Sequence, residues 1–185
     1  MTTNAFMIGK SVYLRPFERS DLAHICRWYN APELRGPIGV TEPYNAVKAD
    51  QWFEEMCRDE HRVWFAIVLK ENDRVIGECG LLRMFAAWKT TDLTIIIGDS
   101  DAQGRGYGSE AIGLLLDYAF GYLGFHRVAV GVAGFNEDAV RFYEKSGFKR
   151  EGIQRDGYFY NHRYHDFVMM SILEDEFRAC SGRGS

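Results

Sequence analysis

The sequence of 185 residues predicts a mixed α/β fold. Apolar residues alternate in some segments and recur with a helical period in others, in the order β, α, α, β, β, β, α, β, α, β, β. A buried strand ending in Ile95, Ile96 and Ile97 leads through a glycine-rich turn directly into an amphipathic helix. Because that helix connects two strands, we expect the strands to run parallel, in a sheet that is otherwise mostly antiparallel.

Each element has its own local signal. The first strand meets Pro16 and stops near Phe17, Gly124 ends the helix that follows the glycine turn, and Asn136 is a natural N-cap for the last predicted helix. The unbroken run of three isoleucines predicts a strand buried on both faces. Strands are expected at 11–17, 63–69, 74–82, 92–98, 126–132, 149–154 and 164–173, and helices at 21–30, 47–58, 111–123 and 137–146.

Length and composition limit the classes of protein. With 46% hydrophobic residues and no internal repeat, we expect one domain over residues 1–178 and a disordered tail over 179–185. The net charge of −4 argues against a nucleic-acid binder and is compatible with a cationic substrate. The four cysteines form no C-x-x-C pair, and no apolar run is long enough to span a membrane, so the sequence predicts a soluble cytoplasmic protein.

The glycine turn is the strongest functional signal. Backbone N–H groups at the start of a helix have no partner within the helix, and they attract phosphate groups. The spacing does not fit a dinucleotide fingerprint, because Ser109 stands where its third glycine should be, and no Walker Gly-Lys-Ser/Thr sequence occurs. The remaining pattern, Gln103-x-x-Gly106-x-Gly108, predicts a pyrophosphate-binding loop, although a turn that merely caps a helix is an alternative interpretation.

This loop pattern, the order of elements and the segment Phe142 to Phe148 after Asn136 together resemble the GNAT superfamily of N-acetyltransferases. Within it, Leu14-Arg15-Pro16 and the C-terminal strand resemble the branch of ribosomal-protein alanine and spermidine acetyltransferases. The resemblance implies the GNAT acetyl-CoA-binding fold, with helices on both faces and the parallel pair of strands splayed around the cofactor.

The resemblance also implies roles for individual residues. Tyr143 matches the position that protonates the CoA sulfur, and Asn136 matches a residue that helps to bind pantetheine. Packing in the core and capping of a helix are the alternative interpretations of these two residues. The implied contacts with acetyl-CoA, including backbone N–H support for the oxyanion near Ile96 or Ile97, are at Ile95, Ile96, Ile97, Gln103, Gly104, Arg105, Gly106, Tyr107, Gly108, Ser109, Asn136, Tyr143 and Lys145.

The general base is less determined. Asp92 and Glu78 both lie where related enzymes place carboxylates that accept a proton through water, and Asp92 is the preferred candidate. His162 and His165 are expected on one strand, where a spacing of three points the two rings to opposite faces. We therefore expect no catalytic metal.

The sequence therefore predicts an acetyl-CoA-dependent N-acetyltransferase for a primary amine, which could be a polyamine, a small amine or a protein N-terminus. The alternative is a non-catalytic acyl-CoA sensor on the same fold. Partners are expected to be the amine acceptor and a second copy of the chain, with no nucleic acid and no membrane. A homodimer or higher homo-oligomer is expected, because the resemblance implies association and because the sequence has more aromatic side chains than one small core needs, at Trp28, Trp52, Trp88 and Tyr158 to Tyr160.

Overall fold

The structure is a computed structural model that describes residues 4–180. The strands are β1 (Met7–Ile8), β2 (Val12–Pro16), β3 (Val63–Leu69), β4 (Val75–Phe85), β5 (Thr90–Ile97), β6 (Arg127–Ala133), β7 (Lys149–Tyr160) and β8 (Arg163–Leu173). The helices are α1 (Leu22–Asn30), α2 (Pro32–Arg35), α3 (Ala46–Arg58), α4 (Tyr107–Asp117), α5 (Glu137–Lys145) and α6 (Glu174–Cys180). Within residues 4–180, eight strands with one parallel pair, interspersed with helices, confirm the mixed α/β class.

Two compact units divide the chain. The first unit is Met1–Leu82 with Thr94–Leu115, and the second is Arg83–Leu93 with Leu116–Ser185. The single domain expected over 1–178 stays a prediction. Helix α6 continues to Cys180, two residues into the tail that we expected to be disordered, and residues 181–185 lie outside the described part of the chain.

In the first unit the strand order is β1-β2-β3-β4-β5. β2 pairs with β3, and β3 pairs with β4, both antiparallel, with Leu14 opposite Ile67 and Ala66 opposite Glu78. The second of these pairings confirms the hairpin expected over 63–82. Helices α1 and α3 pack their apolar faces on this sheet because both are amphipathic. The resulting core comprises Tyr13, Phe17, Leu22, Ile25, Trp28, Tyr29, Ala49, Met56, Ala66, Val68, Val75 and Ile96.

In the second unit the strand order is β5-β6-β8-β7. The start of β5 pairs in parallel with β6, and Asp92 lies opposite Ala129. This confirms the parallel pair that the connecting helix implies. β6 pairs antiparallel over its whole length with the C-terminal part of β8, from Ala133 opposite Phe167 to Arg127 opposite Leu173, and β7 lies at the edge of this order.

Three local expectations are wrong. In β5 only Ile96 of the three isoleucines is buried, while Ile95 and Ile97 remain half-buried. His162 lies in the turn between β7 and β8 with a left-handed φ of 64°, so His162 and His165 do not share a strand. Trp28 has 1% of its surface exposed, so it cannot supply aromatic surface to a second copy. A run of apolar letters predicts a strand, but only the neighbouring elements decide which of its faces is covered.

Candidate active site

The glycine loop of the first unit has an open backbone. Gly104 and Gly106 have φ angles of +70° and +84°, a region that side-chain-bearing residues rarely adopt, and a Cβ at either would meet no heavy atom within 4 Å. Helix α4 begins at Tyr107, so the N–H groups of Tyr107, Gly108 and Ser109 have no acceptor within the helix. Together with the exposed Arg105, this arrangement suits an anion such as a pyrophosphate.

Hydrogen bonds hold residues 98–103, the segment between β5 and the glycines, which we call the stem of the loop. The side chain of Gln103 donates from Nε2 to the carbonyl of Ile97 at 2.8 Å, which ties the first residue of the loop to the end of β5. The backbone N–H groups of Gly98 and Asp99 both donate to the carbonyl of Ile76 on β4, at 2.9 and 3.2 Å. The Gln103 amide therefore shapes the loop, which is a role that the sequence pattern does not reveal.

Glu78 on β4 is fully enclosed in the first unit, with 0% of its surface exposed. Its Oε1 accepts a hydrogen bond from the hydroxyl of Tyr29 at 2.5 Å, and its Oε2 accepts one from Nε1 of Trp64 at 2.8 Å. Burial raises the pKa of Glu78 to about 7, and the two hydrogen bonds oppose this rise. A carboxylate with a pKa near neutrality and without a cationic partner can take up a proton under physiological conditions.

Asp92 belongs to the part of β5 in the second unit, and its surroundings are ionic. Its Oδ2 accepts from the guanidinium of Arg83, whose side chain is 78% exposed. The side chain of Asp92 keeps a quarter of its own surface exposed. The preferred candidate for the base is thus already paired with a cation, while the second candidate, Glu78, is not.

Tyr143 lies on α5 in the second unit, with 7% of its surface exposed. Its ring packs edge to face against Phe142 and Phe148, with ring centroids 5.2 and 5.4 Å away. Burial raises the pKa of the Tyr143 hydroxyl, so it stays protonated at neutral pH. Tyr143 is therefore a core residue whose hydroxyl keeps its proton at neutral pH.

The remaining candidates of the second unit flank the same helix. Asn136 is the N-cap of α5, and its Oδ1 accepts from the backbone N–H of Ala139 at 3.2 Å, which confirms the capping interpretation. Lys145 is exposed at the last residue of α5, where its charge complements the helix dipole. Neither observation tests a contact with a cofactor.

Residues 4–180 contain no group of three or more His, Cys, Asp or Glu side chains arranged to hold a metal ion. In the same part of the chain, no helix is long and apolar enough to cross a membrane.

Sequence reasoning missed the partners of these groups. Tyr29 and Trp64, which bind the carboxylate of Glu78, are 49 and 14 residues away along the chain. Trp28, which donates to Asp99 at the loop stem, is 71 residues away. No local pattern signals such pairs.

A glycine loop whose backbone is open to an anion at a helix start is typical of a protein that binds a phosphate-bearing ligand. The family can be stated as well. A family model described as Acetyltransferase (GNAT) domain matches residues 11–149, and the chain therefore belongs to the GNAT acetyltransferase family. It is an acetyltransferase by that membership.

Similar proteins carry the names of N-acetyltransferases. The chain is 30% identical over 171 residues to the spermidine N(1)-acetyltransferase of Vibrio cholerae, covering 92% of this chain and 97% of that protein. It is 29% identical over 171 residues to the spermidine N(1)-acetyltransferase of Escherichia coli K12, covering 91% of this chain and 89% of the relative. A probable N-acetyltransferase of Bacillus subtilis, YjcK, is 27% identical over 180 residues, covering 91% of this chain and 97% of its own length.

Solved structures show the same fold. The spermidine N-acetyltransferase of Vibrio cholerae in complex with CoA and spermine superposes with a TM-score of 0.85 at 28% identity, covering 91% of this chain and 99% of that one. A dodecameric structure of the Vibrio cholerae enzyme in an intermediate state gives a TM-score of 0.79 at 28% identity, covering 94% of this chain and 99% of the other. These neighbours confirm the GNAT fold expected from the sequence.

Proposed function

We propose that this protein transfers the acetyl group of acetyl-CoA to a primary amine, and that a polyamine of the spermidine class is its acceptor. The open glycine loop at the start of α4 is the observation that carries the acetyl-CoA half of the proposal. The names of the Vibrio cholerae and Escherichia coli relatives support the choice of acceptor. Four free cysteines within the described residues support a reducing, cytoplasmic location.

The residues of the first unit fit the phosphate end of acetyl-CoA. Gly104 and Gly106 leave space at the backbone, and the N–H groups of Tyr107, Gly108 and Ser109 point out of the helix start. Arg105 supplies a positive charge in the same loop. Half-buried Ile95 and Ile97 leave apolar surface on β5 for the pantetheine arm, and the backbone N–H near Ile96 or Ile97 is the proposed oxyanion donor.

Acetyl-CoA supplies an activated thioester, so the protein has only to manage protons and charge. An alkylamine is protonated at neutral pH and must lose a proton before it can act as a nucleophile. Glu78 is the proposed base, because its pKa is about 7 and its charge is not used by a cation. Tyr143 is the proposed acid, because burial raises the pKa of its hydroxyl and it keeps its proton at neutral pH. Asn136 and Lys145 are proposed contacts for the cofactor.

The alternative function is a non-catalytic acyl-CoA sensor, and one assay separates the two. Purified protein is incubated with acetyl-CoA and with spermidine, a simple monoamine or a peptide with a free N-terminus, and release of the free thiol is measured. Fastest release with spermidine supports the proposal, and faster release with either other amine replaces the acceptor. Binding of CoA without thiol release for any amine supports the sensor.

A matched variant tests the site of binding. Gly106→Val places a β-branched side chain at a φ of +84° and should weaken CoA binding by calorimetry about ten-fold or more, because the loop must change its backbone conformation. Gly113→Ala on α4 is the control, because its Cβ meets no heavy atom within 4 Å and its φ is not left-handed. Unchanged affinity in the Gly106 variant would end the assignment of this loop.

A second copy of the chain is the remaining proposed partner. Trp88 is 77% exposed in the second unit, and Phe159 and Tyr164 are more than half exposed and in contact with each other there. The dodecameric neighbour supports a homo-oligomer. Sedimentation that shows only monomer at micromolar concentration would contradict this proposal.

A further inference from the structure

The residue that links β5 to the glycine loop lies against a buried indole. Trp28 on α1 packs directly on Gly98, the first residue after β5, so that a Cβ at Gly98 would lie 2.1 Å from Cδ2 of Trp28. No side chain can occupy this position unless the indole moves. With 1% of its surface exposed, Trp28 is among the most enclosed side chains of the first unit.

The next residue is bonded to the same helix. Oδ1 of Asp99 accepts from Nε1 of Trp28 at 2.9 Å and from the guanidinium of Arg27 at 2.5 Å. Arg74 lies 3.8 Å from the other carboxylate oxygen and also pairs with Asp101 at 2.8 Å. Two side chains of α1 and Arg74, which precedes β4, therefore hold Asp99. The arginines neutralise the charge of two carboxylates that precede a loop suited to anions.

The glycine segment itself lacks comparable support. Around Gly104 and Gly106 a Cβ would find nothing within 4 Å, so packing at these positions does not define the course of the backbone. The position of the loop must then be inherited from its stem, through Gly98 and Asp99 at the end of β5 and through the bond of Gln103 to Ile97.

We propose that Trp28 and Asp99 form a latch that positions the glycine loop for the pyrophosphate of acetyl-CoA, which makes both of them positioning residues. The inference rests on the proposed function. The Trp28 indole fixes Gly98 by contact, and its N–H fixes the Asp99 carboxylate by a hydrogen bond. Without this hydrogen bond the loop stem is no longer fixed in position. The N–H groups at the start of α4 then lose the orientation in which they can donate to phosphate oxygens.

Two substitutions of Asp99 separate the latch from a simple charge effect. Asp99→Asn removes the charge but keeps an oxygen acceptor for Trp28, so the dissociation constant of CoA by calorimetry should stay within about two-fold of wild type. Asp99→Ala removes the acceptor as well, and CoA should bind about five- to ten-fold more weakly. If Asp99→Asn and Asp99→Ala bind CoA with the same affinity as each other, or if both bind it more tightly than wild type, Asp99 is only a charge beside the loop and the latch is overturned.

The partner residue gives an independent measurement. Trp28→Phe keeps a ring over Gly98 but lacks the N–H, so it should weaken CoA binding by a factor similar to that of Asp99→Ala. The double variant should be no weaker than the weaker single variant, because both remove one interaction. Fully additive losses would show that the two residues act separately and would overturn the latch.

Kinetics exclude a merely structural role. The latch acts through the pyrophosphate, so Asp99→Ala should raise KM for acetyl-CoA while kcat stays near the wild-type value. Turnover with acetyl-pantetheine, which lacks the pyrophosphate, should also stay near the wild-type value. Tyr13→Phe is the control: it removes a hydrogen bond to Asp73 at 3.0 Å in the same unit and should leave CoA affinity unchanged. Equal weakening in the control would assign the effect to general destabilisation. Failure of wild type to bind CoA would sink the proposed function, whereas binding without a difference between the Asp99 variants would sink the latch alone.

Discussion

Glu78 and Asp92 are both carboxylates on strands, but their surroundings are opposite. In the first unit, neutral donors from Tyr29 and Trp64 hold Glu78 in complete burial. In the second unit, Asp92 is partly exposed and bonded to the guanidinium of Arg83. A buried carboxylate without a cation resists ionisation, whereas Asp92 lies partly in solvent and is paired with a cation. The comparison teaches that position on a strand does not assign a base; the partner group does.

Replacement of Glu78 by glutamine should have the largest effect. The variant keeps the shape of the side chain but cannot take up a proton, so kcat should fall about 10²–10⁴-fold, which is the usual contribution of general acid–base catalysis. In wild type the activity should fall below about pH 7, because protonated Glu78 cannot act as a base. Steady-state rates from about pH 5 to pH 9 measure both effects. Normal turnover in a folded Glu78→Gln protein, with the acidic limb intact, would remove Glu78 as the base.

Tyr143→Phe tests the acid from the second unit. The substitution removes one proton donor and little volume, so kcat should fall about 10²–10³-fold while KM changes little, because the proton is needed only as charge develops on sulfur. A thermal melt of the same variant is the control. If the melting temperature falls while activity per folded molecule stays at the wild-type level, Tyr143 is only a core residue.

The pH dependence of the free energy of unfolding tests the burial of Glu78 independently of catalysis. Burial raises the pKa of Glu78 from 4.5 to about 7, so the folded protein holds this proton more tightly than the unfolded chain does. The contribution to the free energy of unfolding is complete below pH 4.5 and is lost as the pH rises through about 7. Its size is about 3 kcal/mol.

Urea unfolding of wild type and Glu78→Gln at both ends of this range measures the effect. The stability of the variant relative to wild type should increase with pH, since glutamine does not titrate. An equal pH dependence in both proteins would mean that Glu78 is not the group that titrates.

Asp92→Asn should have the smallest effect. Its pair with a mostly exposed Arg83 contributes about 0–1 kcal/mol to stability, and kcat/KM should change less than about three-fold. Arg83→Gln, which removes the other half of the pair, is the matched control and should behave alike. A loss of 10²-fold or more in Asp92→Asn, with Glu78→Gln near wild type, would reverse the two assignments.

Local patterns in the sequence predicted the parallel pair, the order of most elements, and the strand, glycine loop and helix that carry the proposed cofactor site. They missed β1, α2 and α6. These features depend on periodicity and on residue types with strong local preferences, such as Asn136 at an N-cap and Gly124 at a helix end, where φ is +68°. The family model that matches residues 11–149 confirms the GNAT membership that the loop and the segment after Asn136 suggest.

The groups that enclose Glu78, the cation that pairs with Asp92 and the contacts that hold the stem of the loop are seen only in the folded protein. Trp28 and Asp99 are 71 residues apart, and Tyr29 and Glu78 are 49 residues apart, so no periodic pattern links them. The half-burial of Ile95 and Ile97 was also invisible, because apolar letters show what a face prefers and not whether another element covers it. The pKa of a carboxyl group depends on its burial and on partners that folding brings together. The sequence shows neither, so it identified Asp92 and Glu78 as candidate bases but gave no ground to prefer the buried Glu78.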